Sequence, residues 1–154
     1  MLPWLKNGRA SCIGENAPLG IMKIVITGGT GFIGNCLARN LLGQGHDIRV
    51  IARSVPPPDK KNPEGVTYRS CDLSVRRLPQ EVLSGADVVF HVAAKAGVSG
   101  TYSSYHSANY QATLNVLESC LTSGVRRLVY TSTPSVTFSG KPIRAGTESL
   151  PRVK

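Results

Sequence analysis

Four glycines within eight residues form the part of this sequence best suited to chemistry. Residues 27–34 read T-G-G-T-G-F-I-G, and they follow three apolar, β-branched residues at positions 24–26. A buried strand, a glycine-rich turn and a following helix form the setting in which such glycines bind phosphate. Gly28 is expected to make the turn and Gly31 to admit a pyrophosphate to backbone N–H groups. Gly34 is expected to let the helix pack closely on the strand.

The residues after the second predicted strand bear on the choice of dinucleotide. An acidic side chain there binds the adenosine ribose hydroxyls and favours NAD. This chain has Ala52, Arg53 and Ser54 instead. No carboxylate repels a 2′-phosphate, and Arg53 is able to pair with its charge of roughly −1.5 to −2. We therefore predict NADP(H) as the preferred cofactor and NAD as the second choice, with a plain surface role for Arg53 as the alternative.

Strands and helices alternate along the chain and would place these residues at one edge of a sheet. Apolar runs predict strands at residues 24–26, 47–52, 66–69, 86–92 and 127–132, and helices at 31–42, 78–83 and 104–123. Alternation of this kind is typical of an α/β fold with a doubly wound, parallel, Rossmann-like sheet. The expected strand order is 3-2-1-4-5.

Two apolar stripes predict which helix faces are buried. In the first helix the stripe comprises Ile33, Leu37 and Leu41. In the long third helix, four residues share one i, i+4 row and three leucines widen it: Ala108, Ala112, Val116 and Cys120, with Leu114, Leu117 and Leu121. Glycines at 43–45 and at 124 are expected to end the two helices.

Composition indicates one globular domain and argues against several other classes. The 154 residues are 41% hydrophobic and 18% charged, and no apolar run reaches the roughly 18 residues of a membrane helix. The net charge of +9 comes from scattered basic residues, so we expect a solvated surface and no nucleic-acid partner. Four separated cysteines without metal-ligand spacing indicate reduced thiols, no metal site and a cytoplasmic protein.

Two stretches are expected to lie outside the regular structure. Residues 1–21 show no periodicity and contain several turn-forming residues, so they predict a disordered or loosely attached extension before a domain at 22–154. Three consecutive prolines at 56–58 and the polar residues up to Glu64 predict a surface loop.

The motifs taken together resemble the extended short-chain dehydrogenase/reductase family, which includes NAD(P)-dependent epimerase/dehydratases. The similarity covers residues 22 to about 140 and rests on five ordered motifs: T-G-G-T-G-F-I-G at 27–34, C-D-L at 71–73, V-F-H-V-A-A at 89–94, A-N-Y-Q-A-T-L-N-V-L at 108–117 and V-Y-T-S-T-P-S-V at 129–136. The segments at 91–100 and 130–136 most resemble the 3β-hydroxysteroid dehydrogenase-like branch, which contains sterol dehydrogenases and bacterial 2-alkyl-3-oxoalkanoate reductases.

The resemblance assigns cofactor contacts to three segments. In the glycine-rich motif these are Gly28, Gly31, Phe32, Ile33 and Gly34. In C-D-L, Asp72 occupies the family position that hydrogen-bonds the adenine amino group, and Leu73 would pack on the ring; an Asp-initiated turn is the alternative.

In the third segment, Ala93 and Ala94 are small where the backbone must run close to the cofactor, although packing alone also explains them. Lys95 would reach a phosphate or be solvated. His91 is expected to be a hydrogen-bonded core or edge residue rather than a catalytic base. Asn109 matches a family helix position that steadies the site, and because it lies in the helix interior its amide needs a hydrogen-bond partner.

A hydroxyl just after the fifth strand is the candidate for orienting substrate. The resemblance aligns Thr133 with the Ser/Thr that hydrogen-bonds the substrate oxygen in the family. Ser132 and Ser135 are close alternatives for this role. The alternative without a role in binding is that S-T-P-S simply forms a turn. Ligands of open α/β sheets sit beyond the carboxyl ends of the strands, where these residues are expected.

The family's proton-transfer pair is absent from this sequence. That pair is a Tyr with a Lys four residues later, and none of the five Tyr here has a Lys at that spacing. The resemblance therefore implies a fold truncated at the carboxyl end, with the fifth strand as an exposed apolar edge and with no significant turnover by the chain alone.

Two classes of function remain open from the sequence. The first is a fragment of an NAD(P)-dependent oxidoreductase that transfers hydride to or from a hydroxyl or ketone substrate, sterol-like or 3-oxo/3-hydroxyacyl-like, or of a nucleotide-sugar epimerase/dehydratase. The second is a non-catalytic dinucleotide-binding module. A homodimer is the assembly considered for the full-length protein.

Overall fold

A strand that is buried along its apolar residues forms the centre of the sheet. In a computed structural model, which describes residues 20–55, 62–97, 99–144, 146–147 and 149–153, β1 spans Lys23–Thr27. Ile24, Val25 and Ile26 are fully buried, because layers pack against both faces of this strand.

Four further strands complete a five-stranded sheet of order β3-β2-β1-β4-β5. They are β2 (Asp47–Ala52), β3 (Thr67–Ser70), β4 (Val88–His91) and β5 (Arg127–Tyr130), and every neighbouring pair is parallel. The predicted α/β class and strand order are therefore confirmed. All five carboxyl ends lie at one edge of the sheet, which is where ligands bind in folds of this topology.

The helices connect the strands on both faces. α1 spans Phe32–Gly43 and α2 spans Gln80–Leu83. The third predicted helix begins as α3 (Tyr102–Tyr105), continues as a π-helical segment (His106–Gln111) and ends as α4 (Ala112–Thr122). The π-helical segment was not predicted, since apolar spacing does not separate an inserted residue from a regular turn. A short 3₁₀ turn, Pro134–Thr137, follows β5.

The end of α1 follows the sequence prediction. Gly45 has φ of 85°, His46 N–H donates to the Leu41 carbonyl at 3.3 Å, and Gly45 N–H donates to the Leu42 carbonyl at 2.9 Å. These two bonds close a Schellman motif, in which the left-handed residue is nearly always glycine.

Two apolar cores flank the sheet. One packs α2 and α4 against the sheet around Val25, Val89 and Val116. The other packs α1 against the opposite face around Ile26 and Ala38. The row formed by Ala112, Val116 and Cys120 is buried, as its spacing predicts, with Ala108 partly buried.

Two apolar residues of the predicted stripes are exposed. Ile33 is 58% exposed, because it lies in the first turn of α1 beyond the end of β1 and above the core. Leu121 is 62% exposed, because its row lies at the margin of the buried face, where Leu114 and Leu117 are already only partly covered. The prediction that both residues are buried is wrong.

β5 pairs with β4 on one side and forms an edge of the sheet within the described residues. Val129 and Tyr130 on this strand are 47% and 53% exposed, so the predicted apolar edge is present. Low solubility or self-association, the expected consequence of such an edge, stays a prediction.

The thiols that the structure describes are free. Cys71 and Cys120 are buried and Cys36 is exposed. Burial raises the pKa of Cys120 to about 11 and also raises that of Cys71, so both thiols are protonated at neutral pH. Cys12, the predicted extension up to residue 19 and the prolines at 56–58 lie outside the described residues.

None of the helices among the described residues has the length and apolar character that crossing a bilayer would require. The same part of the chain contains no group of three or more His, Cys, Asp or Glu side chains able to hold a metal ion.

Candidate dinucleotide site

The turn after β1 brings two segments of backbone into contact. Gly28 has φ of 72°, and its N–H donates to the Ile51 carbonyl at 2.8 Å. A β-carbon at Gly28 would lie 2.7 Å from both the Cα and the N of Ala93, in the segment after β4. Both the backbone conformation and the close approach therefore require glycine at this position.

The glycine-rich turn leads directly into α1. Gly31 N–H donates to the Gly28 carbonyl at 3.0 Å, and Asn35 N–H donates to the Gly31 carbonyl at 2.9 Å. Gly31 is the N-cap of the helix and offers no side chain to cap it. The first-turn N–H groups and the positive end of the helix dipole are thus available to an anion.

Gly34 lies where the helix comes closest to the turn. A β-carbon there would be 2.4 Å from the Gly28 carbonyl oxygen and 2.7 Å from the Gly29 Cα. The Phe32 and Ile33 side chains point outward instead and are 92% and 58% exposed. Any contact of these two residues with a pyrophosphate would therefore come from the backbone.

Arg53 and Asp72 lie together beyond the adjacent strands β2 and β3. Ser70 Oγ–H donates to the Arg53 carbonyl at 2.7 Å, and Cys71 N–H donates to the Ala52 carbonyl at 2.8 Å. The pKa of Asp72 is lowered mainly by hydrogen bonds from Ser74, with a further contribution from the charge of Arg53. The Arg53 guanidinium is therefore close enough for its charge to act on the Asp72 carboxylate at the predicted adenosine end.

The structure realises the alternative interpretation of Asp72 as a turn residue. Its Oδ1 accepts from Ser74 N–H at 3.0 Å and from Ser74 Oγ–H at 2.7 Å. This turn uses one of the two carboxylate oxygens. Leu73 is only 6% exposed and belongs to the apolar core, so little of its side chain is open to a ring. The adenine contacts of both residues stay predictions.

The segment after β4 is held by an asparagine of the π-helical segment. Asn109 Oδ1 accepts from Lys95 N–H at 2.7 Å, and Asn109 Nδ2–H donates to the Lys95 carbonyl at 3.1 Å. This pair of bonds supplies the partner that a helical Asn needs. The Lys95 ammonium lies 5.2 Å from the centre of the Tyr105 ring, a cation–π contact.

His91 is a hydrogen-bonded core residue, as expected. It is 1% exposed, and its two ring nitrogens lie within hydrogen-bond distance of Thr27 and Thr113 hydroxyls. Burial lowers its pKa from 6.5 to about 4. The imidazole is therefore neutral at physiological pH and enclosed in the protein, which disfavours the role of catalytic base.

Thr133 and Ser135 lie together just beyond β5. Thr133 is the N-cap of the 3₁₀ turn and accepts from Ser135 N–H at 3.3 Å, and the two hydroxyl oxygens are 3.2 Å apart. Both side chains are exposed. The turn-forming interpretation is thus realised. Both residues follow the carboxyl end of β5, so they lie at the same edge of the sheet as the glycine-rich turn after β1.

Sequence reasoning missed three residues that hold the predicted contacts in place. Asn115 Nδ2–H donates to the Leu73 carbonyl at 2.7 Å across 42 residues of sequence. Thr27 and Thr113 flank His91. All three lie within recognised motifs, Thr27 in the glycine-rich one and the other two in the motif at 108–117. Their hydrogen-bond partners, however, depend on how the strands pair and on how α4 lies against the sheet.

Comparison with known proteins assigns the chain to a family. The family model described as the 3-beta hydroxysteroid dehydrogenase/isomerase family matches residues 25–154. A 2-alkyl-3-oxoalkanoate reductase of Stenotrophomonas maltophilia is 46% identical over 116 residues, which are 75% of this chain and 34% of that protein. The human sterol-4-alpha-carboxylate 3-dehydrogenase, decarboxylating, is 34% identical over 129 residues, which are 84% of this chain and 34% of that protein.

A solved structure agrees with the sequence comparisons. MoeE5 in complex with UDP-glucuronic acid and NAD superposes with a TM-score of 0.70 at 30% identity, over 84% of this chain and 42% of that one. The chain spans about a third of the length of the curated relatives it matches. The resemblance to the amino-terminal part of extended short-chain dehydrogenase/reductases is confirmed, and the chain belongs to the 3-beta hydroxysteroid dehydrogenase/isomerase family.

Proposed function

We propose that this chain binds a nicotinamide dinucleotide, with the pyrophosphate against the glycine-rich turn and the first turn of α1. The contact of Gly28 with Ala93 carries the proposal, because a β-carbon 2.7 Å from two backbone atoms would push apart the segments that frame the site. The NAD bound in the related MoeE5 structure supports the same class of ligand.

The adenosine end of the site supports NADP(H) over NAD. Arg53 is exposed beyond β2, and no acidic residue takes its place at the end of that strand. Its backbone carbonyl accepts from Ser70 Oγ–H, which anchors the residue at the end of β2. A 2′-phosphate would gain a charge-assisted hydrogen bond there, which NAD cannot form.

The proposed reaction of the whole protein is hydride transfer between the nicotinamide and a carbon bearing a hydroxyl or ketone. Sterol-like and 3-oxo/3-hydroxyacyl-like substrates are proposed because the relatives include a sterol dehydrogenase and a 3-oxoalkanoate reductase. The exposed Thr133 hydroxyl, beside that of Ser135, would orient the substrate oxygen. The chain contains no Tyr followed four residues later by Lys, so we expect it to bind cofactor without significant turnover.

A nucleotide-sugar epimerase or dehydratase fragment is the second candidate. The MoeE5 structure, which holds UDP-glucuronic acid as well as NAD, favours it. The free thiols Cys36, Cys71 and Cys120 support a reducing, cytoplasmic setting for either enzyme.

Titration of the 154-residue chain with NADPH and NADH by calorimetry tests the proposal. We expect saturable binding of both, with NADPH tighter. Gly28→Ala should abolish binding because of the clash with Ala93. The matched control is Gly45→Ala, which carries the same cost of a positive φ but meets no atom within 4 Å. A wild-type chain that binds neither dinucleotide, or equal loss in both variants, would refute the proposal.

A further inference from the structure

His91 joins two parts of the molecule that are distant in sequence. It lies at the end of β4, directly opposite Thr27 of β1 in the sheet register. Its Nδ1 is 2.7 Å from Thr27 Oγ1, and its Nε2 is 3.0 Å from Thr113 Oγ1 on α4. The cofactor site proposed above uses none of these three side chains directly.

The carbonyl partner of Thr113 fixes the direction of the hydrogen bonds through the His91 ring. Thr113 Oγ1–H donates to the Asn109 carbonyl at 2.5 Å, and a carbonyl only accepts. Thr113 Oγ1 must therefore accept the proton carried by His91 Nε2. On the other side, Thr27 Oγ1 accepts from Ala93 N–H at 3.3 Å and keeps its own proton to donate to Nδ1. A neutral His91 with its proton on Nε2 satisfies all these groups at once.

Both ends of this chain of hydrogen bonds reach the same backbone segment. At one end Thr27 holds Ala93 N–H. At the other end, Thr113 donates to the backbone carbonyl of Asn109. The Asn109 side chain in turn hydrogen-bonds the backbone N–H and carbonyl of Lys95. The network thus hydrogen-bonds the segment of residues 93–95 from the sheet side, through Thr27, and from the helix side, through Asn109. This is the segment that Gly28 approaches most closely.

We propose that His91 is a positioning residue whose Nε2–H tautomer sets the direction of this network and so holds residues 93–95 against the glycine-rich turn for dinucleotide binding. The proposal rests on the proposed function. A role in packing alone would need only the volume of the ring, whereas positioning needs the hydroxyl of Thr113 as acceptor.

Nitrogen NMR of the ¹⁵N-histidine-labelled chain tests the tautomer without any ligand. In the wild type we expect the His91 signals of a protonated Nε2 and an unprotonated Nδ1. Thr113→Ser retains a hydroxyl and should keep that pattern. Thr113→Val removes the acceptor, and since Thr27 is able to accept as well as donate, the proton should shift at least partly to Nδ1. A wild type protonated on Nδ1, or a Val variant with unchanged signals, would overturn the proposal.

Binding of NADPH to the same variants tests the link to the site. Thr113→Val should weaken binding about fivefold to tenfold, the effect of losing roughly one buried hydrogen bond, and Thr113→Ser should restore it. The matched control is Thr122→Val, which removes a similar bond to a carbonyl four residues earlier on α4, that of Glu118. Equal affinity of the Thr113→Val and Thr122→Val variants would overturn the positioning role.

The two arms separate this proposal from the proposed function. If the wild-type chain shows the expected tautomer but binds no dinucleotide, the proposed function is refuted. The role of His91 in dinucleotide binding is then refuted as well. If the wild type binds NADPH and Thr113→Val binds it equally well, only the positioning role is overturned.

Discussion

Replacing Gly34 by Ala should weaken both the packing of α1 against the turn and the binding of the cofactor. The added β-carbon would lie 2.4 Å from the Gly28 carbonyl oxygen, and ordinary contact begins at 3.4 Å. α1 and the turn must therefore move apart by about 1 Å, which overpacking data place at about 1–3 kcal/mol. The upper end applies because the neighbours are backbone atoms and Gly28 is bonded to β2.

Helix propensity works in the opposite direction and is smaller. Ala is favoured over Gly within a helix by about 1 kcal/mol, so the net destabilisation is about 2 kcal/mol. For a domain of this size that corresponds to a melting temperature lower by about 4–8 °C. The displaced turn should also lose a charge-assisted hydrogen bond to the pyrophosphate, worth about 1.5–3 kcal/mol or roughly tenfold to hundredfold in affinity.

Gly43→Ala supplies the matched control. Gly43 is the last residue of α1, and a β-carbon there meets no atom within 4 Å. This variant should melt up to a few degrees higher than the wild type and bind NADPH equally well. Thermal unfolding monitored by circular dichroism and calorimetric titration of NADPH provide the two readouts. A Gly34→Ala chain as stable as the wild type and equally able to bind would refute the reasoning.

Two further predictions concern charge. Arg53→Ala should weaken NADPH binding about tenfold through loss of a charge-assisted bond and leave NADH binding unchanged, as measured by calorimetry. Arg127→Ala, at the opposite end of the sheet, should change neither, and an equal effect of both variants would count against a 2′-phosphate contact. Because burial lowers the pKa of His91 from 6.5 to about 4, the unfolded chain binds more protons than the folded one between these values. The free energy of unfolding in urea should thus fall by about 2 kcal/mol from about pH 7 to about pH 5, and a flat profile would contradict this.

Much of the framework could be predicted because it depends on local signals. The run D-I-R-V-I-A predicts β2 at the residues where it forms, and the glycines around position 45 predict the end of α1. The strand order follows from alternation of strands and helices together with the glycine-rich turn. Each of these signals lies within a few residues of the feature that it predicts.

The contacts that hold the site depend on register and could not be predicted in this way. Thr27 and His91 are 64 residues apart and meet because β1 and β4 pair in one particular register. Asn109 reaches Lys95 from a π-helical segment that apolar spacing does not reveal. Asp72 illustrates a different limit, since a turn residue and an adenine ligand have the same sequence signal and the structure realises the turn.

Hydrogen–deuterium exchange of the chain with and without NADPH tests the central claim most directly. NADPH should slow exchange at three places: the amides of residues 28–35, those of residues 71–73 and those of residues 93–95. These amides line the carboxyl edge of the sheet, at the turn, the adenosine end and the segment held by Asn109. Unchanged exchange at the glycine-rich turn under saturating NADPH, or protection confined to other parts of the chain, would contradict it.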